Sequence, residues 1–198
     1  MNAITQAIAQ QISGSAARAM AQKIGISENT ANTAVQLAVP LILAALARNA
    51  SQPSEAQDLH QAIQKDHDGS IFDNLMGYLG NPQTANGPGI LSHVFGGQEP
   101  AVASNLSQAT GLDQSSASSV LEMVAPLVMG AVGRQQQQEG LDASGLSNLL
   151  NEQQQQAEAT APDLMSSLNS MLDQNQDGSS MDDIAAMAGK LFKQQSSG

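Results

Sequence analysis

The sequence contains no cysteine and no tryptophan, and aromatic residues make up only 2% of its 198 residues. Without cysteine, disulfides, thiolate nucleophiles, zinc–thiolate sites and iron–sulfur clusters are excluded. Apolar residues still make up 41% of the chain, so Leu, Ile, Val, Met and Ala must fill the core. These side chains suit close helix–helix packing better than a β-sandwich. We therefore expect an all-α, multihelical fold.

Basic residues are also scarce. Seven Lys and Arg residues stand against 18 Asp and Glu residues, which gives a net charge of −11. Such a surface is repelled by a nucleic-acid backbone and by an anionic membrane. The charge predicts no nucleic-acid partner and leaves cations and basic proteins as open partner classes. No pattern in the sequence identifies the protein partner or the oligomeric state.

A long apolar run is missing as well. The most apolar stretch, residues 34–47, contains Gln36 and Pro40 and is too short to span a bilayer, so we expect a buried core helix rather than a transmembrane segment. The residues after Met1 show neither a positive region nor a continuous apolar region. A cleaved signal peptide is therefore not predicted, and we expect a cytoplasmic protein.

The sequence repeats itself at an offset of 86 residues. Residues 4–49 then show nine identities with the later part of the chain, and apolar positions match apolar positions. The identical pairs are Ile4/Ile90, Ala17/Ala103, Gln22/Gln108, Gly25/Gly111, Ala31/Ala117, Pro40/Pro126, Leu41/Leu127, Ala45/Ala131 and Arg48/Arg134. We expect two tandem copies of one helical unit, related by internal pseudo-symmetry.

A second match appears at an offset of 109 residues, where residues 68–70 and 177–179 both read Asp-Gly-Ser. The second copy therefore carries 23 extra residues (109 minus 86), placed in the glutamine-rich region at about 135–160. We interpret this insertion as a solvated helix extension or linker. The predicted organisation is a first repeat at 1–80, a Pro/Gly-rich connection at 81–89, a second repeat at 90–194 and a disordered tail at 195–198.

Helix boundaries recur in both copies. Gly25 and Gly111 are each followed by an apolar residue, which is typical of a helix that ends in a left-handed glycine. Ser27 and Asp113 come next and are good N-cap residues for a new helix. Arg48 and Arg134 are expected near helix C-termini, where a cation offsets the helix dipole.

Pro40 and Pro126 interrupt these new helices, so a kink is expected at each. The residues after each proline are apolar nearly all round, which predicts that the two segments pack together as a shared core near a pseudo-two-fold axis. Flanking helices are expected at 3–12, 15–24, 54–65 and 70–79 in the first copy, and at 89–95, 100–110, 142–155, 161–172 and 180–193 in the second.

Three segments together resemble the bacterial family called domain of unknown function 937. They are the Gly-Ile-Leu-Ser-His-Val-Phe-Gly-Gly run at 89–97, the Ala-Pro-Leu-Val-Met-Gly run at 125–130, and the segment from Asp177 to Phe192. The resemblance covers about residues 4 to 192, and a remoter one is to the YidB-like helical group. It implies an all-helical fold and a bacterial origin, and it implies no activity.

The Asp-rich loop at 173–183 matches the first half of a calcium-binding loop. Alternate side chains of such a loop turn inward onto one ion, and a glycine at the sixth place permits the sharp turn. The candidate ligands are Asp173, Asn175, Asp177 and Ser179, with Asp183 as the later carboxylate. Ile184 holds the twelfth place, where a bidentate carboxylate is needed, so this Ca²⁺ site is incomplete.

A simpler interpretation is helix capping. Ser70 or Ser179 caps the next helix, and Asp73 or Asp182, three residues later, favours its positive end. Both copies keep this pattern, and for that reason we favour capping over calcium.

Three functions stay open. In order of preference they are a non-catalytic structural or protein-interaction module, a calcium-responsive module that uses the 173–183 loop, and an enzyme with an unrecognised site. No catalytic motif is evident, and apart from Ca²⁺ no cofactor is predicted. An enzyme would have to draw on few candidates, which are His60, His67, His93, Arg48 and Arg134.

Overall fold

The computed structural model describes residues 3–160 together with 162, 165 and 166. These residues form nine α-helices and two 3₁₀ turns, and no strand occurs among them. The helices are α1 (Ala3–Gln11), α2 (Ser15–Ile24), α3 (Glu28–Asn49), α4 (Pro53–Asp66), α5 (Leu75–Gly80), α6 (Gly87–Phe95), α7 (Glu99–Thr110), α8 (Gln114–Glu139) and α9 (Ala143–Thr160). The 3₁₀ turns are Ser70–Phe72 and Pro82–Ala85. The expectation of an all-α protein is confirmed for the described chain.

The predicted helix boundaries are present in both halves. Gly25 ends α2 and Gly111 ends α7, each in the left-handed conformation with φ of 85° and 72°. Ser27 accepts a hydrogen bond from the Thr30 amide at 3.0 Å at the start of α3. Asp113 accepts the equivalent bond from the Ser116 amide at 3.0 Å at the start of α8.

Helices α3 and α8 form the centre of the protein. They pack against each other, and most other helices pack against one or both of them. Pro40 lies inside α3 and Pro126 inside α8, and both prolines are buried. The residues after each proline belong to one continuous hydrophobic core, because a helix that is apolar nearly all round is stable in water only when other helices cover it.

Both central helices are long and apolar enough to cross a membrane, judged by length and composition alone. The apolar stretch at 34–47 is part of the 22-residue helix α3, so our expectation that it is too short to span a bilayer is wrong on length. In each helix 72% of the apolar window is buried inside the protein. The core helices of soluble proteins meet the same criterion.

The glutamine-rich region is only in part the solvated helix extension or linker that we expected, with exposed residues at 137–139. Residues up to Glu139 extend α8, and α9 packs against α3 and α4. Leu146 and Leu150 of α9 are fully buried, while Gln136 and Gln153 are only 2% and 5% exposed. The low-complexity composition led to a wrong expectation for α9. Its few leucines fall on one helical face, and this is enough to bury that face.

The predicted helix at 70–79 is divided. A 3₁₀ turn at Ser70–Phe72 is followed by a separate helix, α5, whose N-cap is Asn74. The Pro/Gly-rich segment at 81–89 is likewise only partly a connection, because α6 begins at Gly87. The expected helices at 161–172 and 180–193 and the tail at 195–198 lie almost entirely outside the described residues.

Candidate functional site

A cleft of about 720 Å³ opens beside α8. The turn after α4, helix α5, the start of α6 and the middle of α8 form its walls. Among its lining residues are Asp66, Asp68, Asn74, Asn81, Asn86 and Ile90. The volume lies within the range of ligand-binding clefts, which makes this surface the first candidate for a functional site.

Glycines on α8 bring the turn after α4 close to the helix. The backbone carbonyl oxygen of His67 occupies the position that a Cβ at Gly133 would need. One turn earlier along α8, the side chain of Ile71 lies against Gly130. Gly69 itself has φ of +89°, a left-handed conformation that favours glycine. The cleft wall is therefore set by backbone-to-helix contact that larger residues would prevent.

Arg134 joins this turn to α8. Its Nη2 atom lies 2.6 Å from Oδ1 of Asp73, and its guanidinium carbon lies 5.0 Å from the centre of the Phe72 ring. Both charged side chains are partly exposed, at 38% and 73%. Arg134 is five residues before the end of α8, near the helix C-terminus as we expected but outside its last turn.

The capping prediction for the first Asp-Gly-Ser turn is wrong in its details. Ser70 makes no side-chain cap, and Asp73 pairs with Arg134 rather than with a helix N-terminus. Instead Asp68 Oδ1 accepts a hydrogen bond from the Ser70 amide at 2.9 Å. Hydrogen bonds from Ser70 lower the pKa of the Asp68 carboxyl, which favours its charged form.

Pro126 shapes the far wall of the cleft. Proline lacks an N–H, so the Glu122 carbonyl four residues earlier receives no helical hydrogen bond from it. Gly87, at the start of α6, packs directly against that carbonyl, where any side chain would clash. The neighbouring Met123 carbonyl accepts a hydrogen bond from the Tyr78 hydroxyl at 2.7 Å. Burial raises the pKa of Tyr78, which keeps this hydroxyl a donor.

A second, smaller cavity of about 290 Å³ adjoins the first. The two cavities share His67, Asn86 and Ile90 in their linings, so they meet side by side. The smaller one is more apolar, and its floor comes from α3, α4, α6 and α8. The floor residues are Leu46, Leu59, Ile90, Val94 and Met129. We call the two cavities together the paired cleft.

The charged groups of the paired cleft are predominantly acidic. Glu55 and Asp58 line the smaller cavity, and Asp66 and Asp68 line the larger one. Within the part of the chain that the structure describes, no lysine or arginine lines either cavity. None of these four carboxylates forms an ion pair with another described residue. The surface therefore presents an excess of negative charge beside an apolar floor.

The three histidines are not together: His60 lines neither cavity, whereas His67 and His93 both line the smaller one. The Nδ1 atom of His60 lies 2.9 Å from Nε2 of Gln136. His67 ends α4 and is half-buried; burial lowers its pKa, while Asp66 and Asp68 act in the opposite direction. Across the described residues, no three His, Asp or Glu side chains are close enough together to hold a metal ion.

Arg48 lies in the last turn of α3, as we expected. Its Nη1 atom is buried and has no hydrogen-bond partner among the described residues. Burial also lowers the pKa of this guanidinium. Arg48 thus differs from Arg134, its counterpart at an offset of 86, which has a carboxylate partner.

The predicted calcium ligands lie outside the described residues. These are Asp173, Asn175, Asp177, Ser179 and Asp183, so the calcium hypothesis stays a prediction. The paired cleft, in contrast, was not predicted as a site. One signal was present in the sequence: at an offset of 86 residues, Gly130 and Gly133 align with Ala44 and Ala47, which marks a close approach on α8 alone.

Comparison with known proteins gives one match. The model of a family described as bacterial protein of unknown function (DUF937) matches residues 6–135. No curated protein and no solved structure matches the chain. The match covers α2 to α7 completely, together with most of α1 and α8. It therefore includes every helix that lines the paired cleft, and the chain belongs to the bacterial DUF937 family.

Proposed function

We propose that this protein is a non-catalytic protein-interaction module whose binding surface is the paired cleft. The observation that carries the proposal is the composition of that surface. An apolar floor from four helices is surrounded by carboxylates that have no ion-pair partner among the described residues. Concave apolar surfaces rimmed by polar groups are the usual places where proteins bind partners.

The chemistry of the cleft supports binding rather than catalysis. Catalytic sites bring together titratable side chains within hydrogen-bonding distance of one another. In the described chain, Asp68 is bound to the backbone of its own turn, and the Tyr78 hydroxyl is bound to the Met123 carbonyl. These two groups shape the cleft wall and are already engaged. The remaining titratable side chains of the lining, which include Glu55, Asp58, His67 and His93, form no hydrogen bond with one another among the described residues.

Site-specific photo-crosslinking in cells of the native bacterium tests the proposal. A photo-reactive amino acid replaces Asn81, which is exposed and lines the larger cavity. We expect a discrete covalent adduct with another protein. Replacing Leu59, which is half-buried in the floor of the smaller cavity, with Ala should weaken that adduct, because apolar contact area is lost.

The matched control carries the same amino acid at Gln11, which is exposed on α1 and lines neither cavity. Equal adducts at Asn81 and Gln11 would show only random collision. The absence of any adduct at Asn81 would contradict the proposal, provided that the variant accumulates and has the helical circular dichroism of the original protein.

We further propose that the chain arose by tandem duplication and that α3 and α8 are kinked at their prolines. Support comes from the equivalent order of α1–α4 and α6–α9, from the paired N-caps and from the buried prolines at corresponding places. An experimentally determined structure tests this by superposition of residues 4–49 on 90–135. Halves that cannot be superimposed would exclude the pseudo-symmetry.

A further inference from the structure

We infer that the occupant of the paired cleft is a basic amphipathic helix of a partner protein. This inference rests on the proposed function and adds the chemistry of the partner. The apolar face of the helix enters the smaller cavity, and its lysine or arginine side chains reach the carboxylates of the rim. Three features of the surface lead to this partner.

The first feature is the shape and composition of the floor. Its five apolar side chains come from α3, α4, α6 and α8, so they form a groove between helices rather than a flat patch. Leu46, Ile90, Val94 and Met129 are 1% to 9% exposed, and Leu59 is half-buried, so Leu59 is the least covered of the five. Met129 adds a flexible side chain that adapts to different apolar contacts. An aliphatic side chain of a partner helix can pack against this floor.

The second feature is the placement of the acidic groups. Glu55 and Asp58 lie three residues apart on α4 and therefore on the same face of that helix. Both are exposed and border the apolar floor. Asp66 and Asp68 continue the negative rim along the larger cavity. Arg134 lies against Gly69 of the same turn and acts on Asp68, but its ion pair is with Asp73. Glu55, Asp58 and Asp66 have no ion-pair partner among the described residues.

The third feature is what the cleft offers to a peptide backbone. Extended peptides are bound as an added strand at a sheet edge or, when they are rich in proline, in aromatic-lined grooves. The described residues contain no strand, and no Phe, Tyr or Trp side chain among them lines the smaller cavity. A helix satisfies its own backbone hydrogen bonds, so it needs only side-chain complementarity. An apolar groove between helices provides that complementarity.

Charge selects this occupant over a second copy of the same chain. The protein carries a net charge of −11, so a second copy would bring further negative charge towards the acidic rim. Like charges at an interface oppose association. A partner segment that carries lysine or arginine beside an apolar face gains from the same rim.

The test uses synthetic peptides and the full-length protein. One fluorescent peptide of about 18 residues has leucines at helical spacing on one face and lysines beside them. A second peptide has glutamates in place of the lysines. Fluorescence anisotropy measures the Kd of each. We expect the lysine peptide to bind saturably, its Kd to rise with salt, and the glutamate peptide to bind much more weakly.

Two double variants locate the binding site. Glu55→Gln with Asp58→Asn removes two charges from the rim. Glu152→Gln with Glu158→Gln removes two exposed charges from α9, outside both cavities, and so changes the net charge equally. The rim variant should weaken the lysine peptide roughly fivefold, as two exposed ion pairs would. The α9 variant should leave its Kd nearly unchanged.

Three results would overturn the inference. The first is equal binding of the lysine peptide to both double variants, which would show only attraction to an acidic protein. The second is no binding of that peptide while a protein is still crosslinked at Asn81, which would leave the proposed function standing with a different partner. The third is a dimer in sedimentation that the rim variant alone dissociates, which would assign the cleft to a second copy.

Discussion

The backbone carbonyl oxygen of His67 fills the space that a side chain at Gly133 would need. This contact fixes the distance between α8 and the turn that follows α4. The paired cleft lies beside it, since residues 66–71 line the larger cavity. The proposed binding surface therefore has this shape because Gly133 carries only a hydrogen atom where other residues carry a side chain.

Replacing Gly133 with Ala should destabilise the protein by about 2 kcal/mol, because the new methyl group overlaps a backbone atom that cannot move by itself. In an exposed helix the same substitution stabilises by up to about 1 kcal/mol. Urea unfolding followed by circular dichroism measures the difference. Gly80→Ala is the matched control, since nothing lies near a Cβ there. An equal response of both variants would contradict the close approach.

Replacing Tyr78 with Phe should cost about 1 kcal/mol, because the buried Met123 carbonyl loses the hydroxyl that donates to it. The ring itself stays in place, so packing is preserved. Thermal unfolding measures the loss. Ser51→Ala removes an exposed hydroxyl that donates to the Arg48 carbonyl and should change stability by less than about 0.5 kcal/mol. If Tyr78→Phe changes the stability as little as Ser51→Ala does, the Tyr78 hydrogen bond makes no measurable contribution to stability.

The single tyrosine permits a direct test of its environment. Burial raises the pKa of Tyr78 above its ordinary value of 10.0. The folded state therefore favours the neutral phenol, so stability is full below pH 10 and declines as the pH rises above it. Absorbance at the phenolate band should stay low until the protein unfolds. Ionisation near pH 10 with the circular dichroism unchanged would show an accessible hydroxyl.

Arg48 and Arg134 occupy positions 86 residues apart and should respond differently to replacement by Met. Arg134→Met removes an exposed ion pair with Asp73 and should cost less than about 1 kcal/mol. Arg48→Met removes a buried guanidinium nitrogen that has no described partner, so stability should stay the same or increase. A double-mutant cycle with Asp73→Asn isolates the Arg134 pair. A large loss for Arg48→Met would indicate a partner outside the described residues.

Calcium titration separates the two interpretations of the 173–183 loop. Under the favoured capping interpretation, millimolar Ca²⁺ leaves the Tm unchanged. Under the calcium hypothesis, ion binding to the folded state raises the Tm. Differential scanning calorimetry with and without chelator measures it, and Asp173→Asn with Asp177→Asn should abolish any rise. A calcium-dependent increase that this variant removes would reverse our preference.

The sequence predicted those features that depend on neighbouring residues. Gly25 and Gly111 end helices in the left-handed conformation, and Ser27 and Asp113 start the next ones. Each of these outcomes follows from a glycine without a Cβ or from a side-chain oxygen beside free amides. The prediction failed at Asp73 and in part of the glutamine-rich region. Their positions depend on Arg134 and on α3, which lie far away along the chain.

The amino-acid sequence by itself determined the helical class, the ends of the main helices and the burial of the two proline-containing segments, because short-range sterics, capping and apolar periodicity act within a few residues. Only the tertiary structure decided where the paired cleft lies, which carboxylates surround it and which arginine has a partner. Those features join α3, α4, α6 and α8 across long separations, and no local pattern encodes such a distance.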